Sequence, residues 1–172
     1  DKKIEPCRVP DIVKIPLRQH IGAPCEALVK PGDKVKLGQK IGSPEGFVSA
    51  PVHSSVSGTV CSIETVDLPD GGRAPAVVIQ NDGEDTPDES MKPGNPEQLS
   101  GEELRNIILE AGIIGMGGAA FPTHVKLTPP TGKQIDTVIL NGAECEPYLT
   151  CDYRLMLENP EDILYGMKVI MK

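Results

Sequence analysis

Short β-prone runs separated by glycine and proline fill the chain between residues 15 and 80. Glycine and proline at this spacing favour turns and leave no room for helices of several turns between them. Aromatic residues make up only 3% of the chain, so the core must be built from Val, Ile, Leu, Ala and Met. The sequence therefore predicts a small all-β domain over residues 1–80. Its predicted strands cover residues 26–29, 34–37, 47–49, 58–60 and 76–80.

The charge of the chain argues against two classes of partner. Its formal net charge is −8 and its sequence pI is near 4.9, whereas proteins that bind nucleic acids or anionic lipid surfaces usually present a basic face. We therefore expect neither nucleic-acid binding nor direct lipid binding. No apolar run approaches the roughly 20 residues of a membrane-spanning helix. We expect a soluble chain that associates with a membrane only through partner subunits.

The five cysteines are odd in number, and none forms a Cys-x-x-Cys pair. This pattern favours the reducing cytoplasm over a disulfide-forming compartment. We interpret Cys7, Cys25 and Cys61 as small core or surface residues. His20 and His53 have no second ligand at metal-binding spacing, and we interpret them as surface or turn residues. No metal ligand is assigned.

An acidic segment rich in proline and glycine, residues 81–97, follows the β domain and predicts a linker. After it, Ser100 and Glu103 have the spacing of a capping box, in which the two side chains bond free backbone donors at the start of a helix. The predicted helix buries one face and stops at Gly112. The apolar positions of that face are Leu104, Ile107, Ile108 and Ala111.

Residues 98–172 predict an α/β domain, because a loop, a strand at 137–140 and a second helix follow the first helix. The second helix is predicted to begin at Asn159-Pro160, a favourable N-cap and first-turn pair. Its apolar stripe continues to the end of the chain, which favours a domain truncated at its C-terminus. The stripe consists of Ile163, Leu164, Met167, Ile170 and Met171.

The β domain resembles biotinyl and lipoyl domains in residues 29–41 and 49–60. These domains are flattened barrels known as barrel-sandwich hybrids, and the resemblance implies that fold. Their carrier chemistry requires a lysine at the tip of a hairpin between the two halves. The corresponding stretch here, residues 42–47, is Gly-Ser-Pro-Glu-Gly-Phe and has no lysine. We therefore predict a scaffold or docking module in place of a swinging arm, since a fold alone does not determine function.

A glycine-rich segment, residues 115–126, is the most informative stretch for function. Residues with small side chains let backbone amides approach a phosphate or a flavin, and consecutive amides form an anion-binding nest. Lys126 adds a positive charge at the end of the segment. Because the segment follows a helix and not a strand, it is not a conventional Rossmann loop. Taken alone, the segment is equally compatible with a mobile connector.

Polar residues follow the predicted strand at its carboxyl end, where open α/β folds bind their ligands. They include Asn141, Glu144 and Glu146. Cys145 and Cys151 lie in the same stretch. Reactive thiols need an electropositive setting, and the neighbouring glutamates create the opposite. We therefore favour structural packing over redox or metal roles for these two cysteines.

These two segments together resemble the RnfC family of ion-translocating Rnf electron-transport complexes, and more distantly the flavin-binding subunit of respiratory complex I. The resemblance implies that the loop and the strand end hold FMN and NADH. It implies no catalytic side chain. Met116 and Ala143 depart from the complex I pattern, which leaves the position of NADH open. The implied cofactor-binding residues are Gly115, Gly117, Gly118, Phe121 and Lys126 on the loop and Asn141, Glu144 and Glu146 at the strand end.

The resemblance also implies a function, namely electron transfer between NADH and ferredoxin coupled to ion translocation. It places [4Fe-4S] clusters after residue 172 and implies membrane-bound and iron–sulfur subunits of the complex as partners. The location would be the cytoplasm, peripheral to the cell membrane. The alternative class is a non-catalytic docking module with a lipoyl-like barrel. We expect this chain alone to be inactive and to bind neither FMN nor NADH tightly, because such sites are assembled from several strand ends.

Overall fold

The computed structural model describes residues 2–116 and 118–172. Within these residues a β domain precedes a helical region. The strands are β1 (Ile12–Pro16), β2 (Glu26–Ala27), β3 (Lys34–Val35), β4 (Lys40–Ser43), β5 (Val52–His53), β6 (Gly58–Asp67) and β7 (Arg73–Asn81). The α-helices are α1 (Gly101–Glu110), α2 (Thr123–Lys126), α3 (Cys151–Glu158) and α4 (Pro160–Met171), and a short 3-10 helix covers Pro96–Gln98.

The β domain consists of two antiparallel sheets. One has the order β1-β7-β6-β3 and the other the order β2-β4-β5. The longest pairing joins β6 to β7, with Gly58 opposite Asn81 at one end and Asp67 opposite Arg73 at the other. β1 pairs along the outer side of β7, so β7 is hydrogen-bonded on both edges. A small two-sheet barrel of this kind confirms the predicted barrel-sandwich hybrid.

A single apolar core fills the space between the sheets. Burial alternates along the first residues of β6, as expected for a strand with one face inward. β7 instead contains a run of four buried residues from Ala76 to Ile79, as expected of a strand enclosed on both faces. The core consists of Ile15, Leu17, Cys25, Val29, Val35, Ile41, Val52, Val56, Val60, Val77 and Ile79.

The predicted strands are confirmed unevenly. Those at 58–60 and 76–80 are present and extend into β6 and β7, whereas those at 26–29 and 34–37 are reduced to their first two residues. The strand predicted at 47–49 is wrong, because this stretch is a loop whose Val48 carbonyl accepts a hydrogen bond from the Ala23 amide at 3.3 Å. Strands β1, β4 and β5 were not predicted from the sequence.

The loop of residues 44–51 connects β4 to β5, which pair antiparallel. We call residues 44–51 the barrel hairpin. It contains no lysine. It packs tightly on the segment before β2, since a Cβ at Gly22, where φ is +108°, would lie 2.1 Å from the Val48 carbonyl oxygen. The tip that carries the acylated lysine in carrier domains is therefore packed against the chain that precedes it.

The acidic segment after β7 is attached to the barrel. The Leu37 amide donates to the Thr86 carbonyl at 2.9 Å, and the Asp88 amide donates to the Leu37 carbonyl at 2.8 Å. The Ser57 hydroxyl donates to the Asp82 carboxylate at 2.6 Å. The division of the chain at residues 80 and 97 stays a prediction.

Helix α1 begins where the capping box predicts. The Glu103 amide donates to the Ser100 hydroxyl at 3.2 Å, and the Ser100 amide donates to the Glu103 carboxylate at 2.8 Å. The helix ends before Gly112, where φ is +67°. Both ends of α1 therefore follow from local sequence signals.

The predicted buried face of α1 is confirmed in part. Leu104 and Ile108 are buried as predicted. Ile107 is 50% exposed and Ala111 is also exposed, so the predicted burial of these two residues is wrong. They lie at the edge of the buried face, where the barrel and α2 do not reach.

The C-terminal region is helical but has little core. The strand predicted at 137–140 is wrong: Ile139 is 84% exposed, and no other strand pairs with this stretch among the described residues. A run of β-branched residues cannot form a sheet without a partner that accepts its hydrogen bonds. Helix α4 begins at Pro160, as predicted, but its apolar stripe contains no buried residue. None of the described helices is long and apolar enough to cross a membrane.

Candidate functional site

The glycine-rich segment forms a loop that is closed at its base. The Gly115 amide donates to the Phe121 carbonyl at 2.9 Å, and the Thr123 amide donates to the Ile113 carbonyl at 3.0 Å. Ile114 and Pro122 form an antiparallel bridge between these bonds. The base is therefore a short two-stranded ladder. Gly117, one of the predicted cofactor-binding residues, lies outside the described residues.

The side chain of Lys126 lies directly over the start of this loop. A Cβ at Gly115 would be only 2.9 Å from the Lys126 ammonium nitrogen. Glycine therefore lets the ammonium group approach the backbone of the loop. Lys126 is exposed, so its charge is available to an anion. The structure thus brings together Gly115, Phe121 and Lys126, three of the residues predicted on the loop side.

The tip of the loop lies against the barrel. The Ala119 carbonyl accepts a hydrogen bond from the Ile21 amide at 3.0 Å. Gly118 and Ala120 have φ of +58° and +50°, the left-handed conformation that turns the chain sharply. Residues 118–120 and barrel residues 16–21 line a cleft of about 600 Å³. The loop is thus held at its base and at its tip, which favours a built site over a mobile connector.

The predicted strand-end residues lie at the start of helix α3. One Glu144 carboxylate oxygen accepts from the Tyr153 amide at 3.0 Å, and the other accepts from the Cys151 thiol at 3.4 Å. Thr150, the N-cap residue, makes no side-chain cap, so Glu144 satisfies a free amide of the first turn in its place. The Asn141 side-chain oxygen accepts from the Ala143 amide at 3.0 Å.

The loop side and the strand-end side are not joined in this chain. Over residues 2–116 and 118–172, no hydrogen bond or ion pair connects the loop with Asn141, Glu144 or Glu146. Glu146 is exposed, and its carbonyl accepts from the Leu149 amide at 3.4 Å. A strand was expected to carry these residues to a sheet edge, and that strand is not formed.

Neither cysteine near the strand end is packed. Cys145 and Cys151 are both exposed, so the prediction of structural packing is wrong for them. The hydrogen bond to Glu144, followed by partial burial, raises the pKa of the Cys151 thiol. A raised pKa keeps the sulfur protonated and disfavours both nucleophilic attack and metal ligation. Ligand atoms of Glu144, Cys151 and Asp152 lie within 4.8 Å of one another, but this thiol chemistry does not support a metal site.

The histidines differ from their predicted roles. His20 is buried, and its ring nitrogens bond the Ile21 carbonyl at 2.9 Å and the Ala50 amide at 3.0 Å. Its prediction as a surface or turn residue is therefore wrong. His53 lies in β5 and is half-buried. Burial lowers its pKa, and the nearby Lys40 lowers it further.

His124 was not predicted to have a role. It is 7% exposed, and its Nε2 donates to the Phe47 carbonyl at 3.2 Å. The Phe47 ring meets the imidazole edge to face at a centroid distance of 6.2 Å. Nδ1 is buried without a partner among the described residues. Nothing in the local sequence indicates this contact, because its partner lies 77 positions away.

Comparison with known proteins agrees with this architecture. Residues 1–84 match the family described as the RnfC barrel sandwich hybrid domain, and residues 108–172 match the Nuo51 FMN-binding domain. The chain is 52% identical, over 95% of its length, to the RnfC protein of the Na(+)-translocating ferredoxin:NAD(+) oxidoreductase complex of Acetobacterium woodii. This chain belongs to the RnfC family.

Two further RnfC relatives support the assignment. The chain is 51% identical over its full length to the corresponding protein of the proton-translocating ferredoxin:NAD(+) oxidoreductase complex of Clostridium ljungdahlii. It is 41% identical over 99% of its length to that of the ion-translocating oxidoreductase complex of Rhodobacter capsulatus. The matched region makes up 37%, 38% and 33% of the three relatives. The chain therefore spans little more than a third of an RnfC protein.

The loop side of the site fits FMN, the cofactor that the second family match implies. FMN carries a phosphate group, and an exposed ammonium beside backbone amides is suited to bind it. The close approach of Lys126 to Gly115 leaves no space for a side chain at position 115. The strand-end side contributes less in this arrangement, since the Glu144 carboxylate already bonds helix α3.

Proposed function

We propose that this chain is the N-terminal part of an RnfC subunit that takes part in electron transfer between NADH and ferredoxin, coupled to ion translocation. The observation that carries the proposal is the Lys126 ammonium over Gly115, within the region that matches an FMN-binding domain. The names of the relatives support the reaction and the ion-translocating complex. Because the chain spans only part of their length, the activity belongs to the whole subunit.

The residues of this chain would bind and orient the flavin. Lys126 would hold the phosphate, the loop amides around Gly115 and Gly118 would support it, and Phe121 would close the base of the loop. Bound FMN would accept a hydride and release electrons one at a time. Asn141, Glu144 and Glu146 would complete the site, with NADH bound next to the flavin.

The wider setting of the subunit is part of the same proposal. [4Fe-4S] clusters would lie in the sequence after residue 172, and membrane-bound and iron–sulfur subunits of the complex would be the partners. The subunit would lie in the cytoplasm, attached peripherally to the membrane through these partners. Within this chain, residues 1–80 would form the barrel, residues 81–97 the linker and residues 98–172 part of the flavin-binding domain.

The test uses the intact RnfC subunit with its flavin removed. FMN affinity is measured by fluorescence titration for the native protein, Lys126→Ala and Glu146→Gln, with Lys133→Ala as a matched control for loss of an exposed lysine. We expect Lys126→Ala to weaken FMN binding about tenfold or more, as the loss of a charged hydrogen bond of ~1.5–3 kcal/mol predicts. Lys133→Ala should bind normally.

Two outcomes would contradict the proposal. Unchanged FMN binding by Lys126→Ala and Glu146→Gln would show that these positions do not contact the flavin. An intact subunit that contains neither flavin nor iron would favour the alternative function, a non-catalytic docking module built on a lipoyl-like barrel.

A further inference from the structure

The barrel hairpin, residues 44–51, contacts the glycine-rich segment through Phe47. The Phe47 carbonyl accepts from His124 Nε2 at 3.2 Å, and its ring lies against the imidazole edge at 82°. His124 is buried although it belongs to a short surface helix. The hydrogen bond therefore lies in a setting where its loss would leave a buried polar group without a partner.

Helix α2, which carries His124, cannot hold its position alone. It has four residues and no side-chain cap, and helices of this length are unstable without tertiary contacts. Its position depends on neighbours, and the contact of His124 with Phe47 links it to the barrel. Lys126 lies on the same short helix. A shift of α2 away from the hairpin would move the Lys126 ammonium away from Gly115.

A second contact ties the loop tip to the same part of the barrel. Ile21 donates its amide to the Ala119 carbonyl at 3.0 Å. The next residue, Gly22, packs so closely against the Val48 carbonyl that a Cβ would lie 2.1 Å from that oxygen. Hairpin, segment 20–23 and glycine-rich loop are therefore in continuous contact.

The protonation of His124 supports a specific role for this contact. Because Nε2 donates to a carbonyl, the neutral ring carries its proton there and leaves Nδ1 as a bare acceptor. Nδ1 is buried and has no partner among the described residues. An apolar side chain at this position would avoid that cost, but it would not satisfy the Phe47 carbonyl. The histidine is thus explained by its bond to the hairpin.

We propose that the barrel hairpin, at the place where carrier domains hold their acylated lysine, positions the flavin-binding loop in this protein. Phe47 is a positioning residue that acts through His124 and helix α2 on Lys126. The barrel is then a structural part of the cofactor site. This inference rests on the proposed function, since it concerns the same loop.

The experiment compares Phe47→Ala with Phe47→Tyr and Leu28→Ala in the intact, flavin-free subunit. Phe47 is 66% exposed and Leu28 is 54% exposed, so truncation of either should leave the barrel folded. We expect Phe47→Ala to weaken FMN binding roughly 2- to 10-fold, as an aromatic edge contact of ~0.5–1.5 kcal/mol predicts. Phe47→Tyr and Leu28→Ala should bind FMN like the native subunit.

A double-variant cycle tests the route of the effect. If Phe47 acts by positioning Lys126, then Phe47→Ala should weaken FMN binding no further in a Lys126→Ala background. Amide hydrogen exchange of residues 113–126, measured without flavin, should also be faster in Phe47→Ala than in Leu28→Ala. This exchange does not depend on activity and reports the loop directly.

The failures of the two proposals can be distinguished. If Lys126→Ala weakens FMN binding and Phe47→Ala changes neither binding nor hydrogen exchange, the positioning role is overturned and the proposed function stands. Additive effects of the two substitutions would also overturn the route through Lys126. If Lys126→Ala itself has no effect, the loop assignment fails and the inference fails with it.

Discussion

The barrel and the C-terminal region are built from similar apolar residues but differ in burial. Ile41, Val77 and Ile79 in the barrel are 0% exposed. Every residue from 131 to 172 is described, and none of them is buried. Both regions nevertheless contain regular structure. Burial, and not the presence of helices or strands, separates them.

The difference shows how each kind of structure is completed. The strands of the barrel pair with antiparallel neighbours in the same 80-residue stretch, so the barrel closes its core by itself. Helices α3 and α4 form from local patterns, since helical hydrogen bonds need no other segment. Their apolar faces and the stretch at 137–140 depend on contacts with other segments, and those contacts are few in the described chain.

The largest effect that tests this comparison is expected from core truncation. Ile79→Ala should lower the free energy of unfolding of the barrel by about 2–5 kcal/mol, because it removes buried methyl groups and leaves a cavity. Ile139→Ala should change it by no more than about 0.5 kcal/mol, as for exposed positions in general. Urea unfolding followed by circular dichroism measures both. Equal losses would show that 137–140 is packed and that the contrast is wrong.

A smaller effect is expected at the junction between the two regions. A Cβ at Gly112 would lie 2.4 Å from the Pro51 carbonyl oxygen, whereas one at Gly83 would meet no atom within 4 Å. Both residues have positive φ, so Gly83→Ala controls for backbone strain of about 1–2 kcal/mol. Gly112→Ala should destabilise the chain by about 1–3 kcal/mol more, through the clash. Equal thermal shifts would mean that α1 does not need this close contact with the barrel.

The smallest effect is a pH dependence at the same junction. Burial lowers the pKa of His53, Lys40 lowers it further, and Glu110 and Asp88 oppose the shift. Because the unfolded chain binds this proton first, stability should fall as the pH drops through the usual histidine pKa, until the folded group is protonated too. His53→Gln should flatten the slope of unfolding free energy between about pH 7.5 and 5.5. An unchanged slope would assign the dependence to other groups.

Sequence reasoning succeeded where a structure depends on neighbouring residues. The capping box at Ser100 and the proline at the start of α4 act within one helical turn, so both helix starts could be predicted. Strand 137–140 was predicted from its β-branched residues, yet a strand also needs a partner elsewhere in the chain. Strands β2, β3 and β5 have two residues each, too few to show alternation.

The candidate site divides in the same way. The glycine-rich loop was recognisable because small residues and Lys126 lie close in sequence, and Gly115, Phe121 and Lys126 do meet. The contact between His124 and Phe47 joins residues 77 positions apart. No local pattern predicts such a contact, because it follows from how the barrel packs on the loop.

The bond between Glu144 and helix α3 has a thermodynamic consequence for any ligand of that residue. A carboxylate that accepts from the Tyr153 amide must release it before it can serve another donor in the same direction. The observed affinity of such a ligand would be reduced by the free energy of that helix cap. By reciprocity, the ligand would loosen the first turn of α3 by the same amount that the cap weakens its binding. One side chain would thus couple occupancy of the site to the order of the helix that follows it.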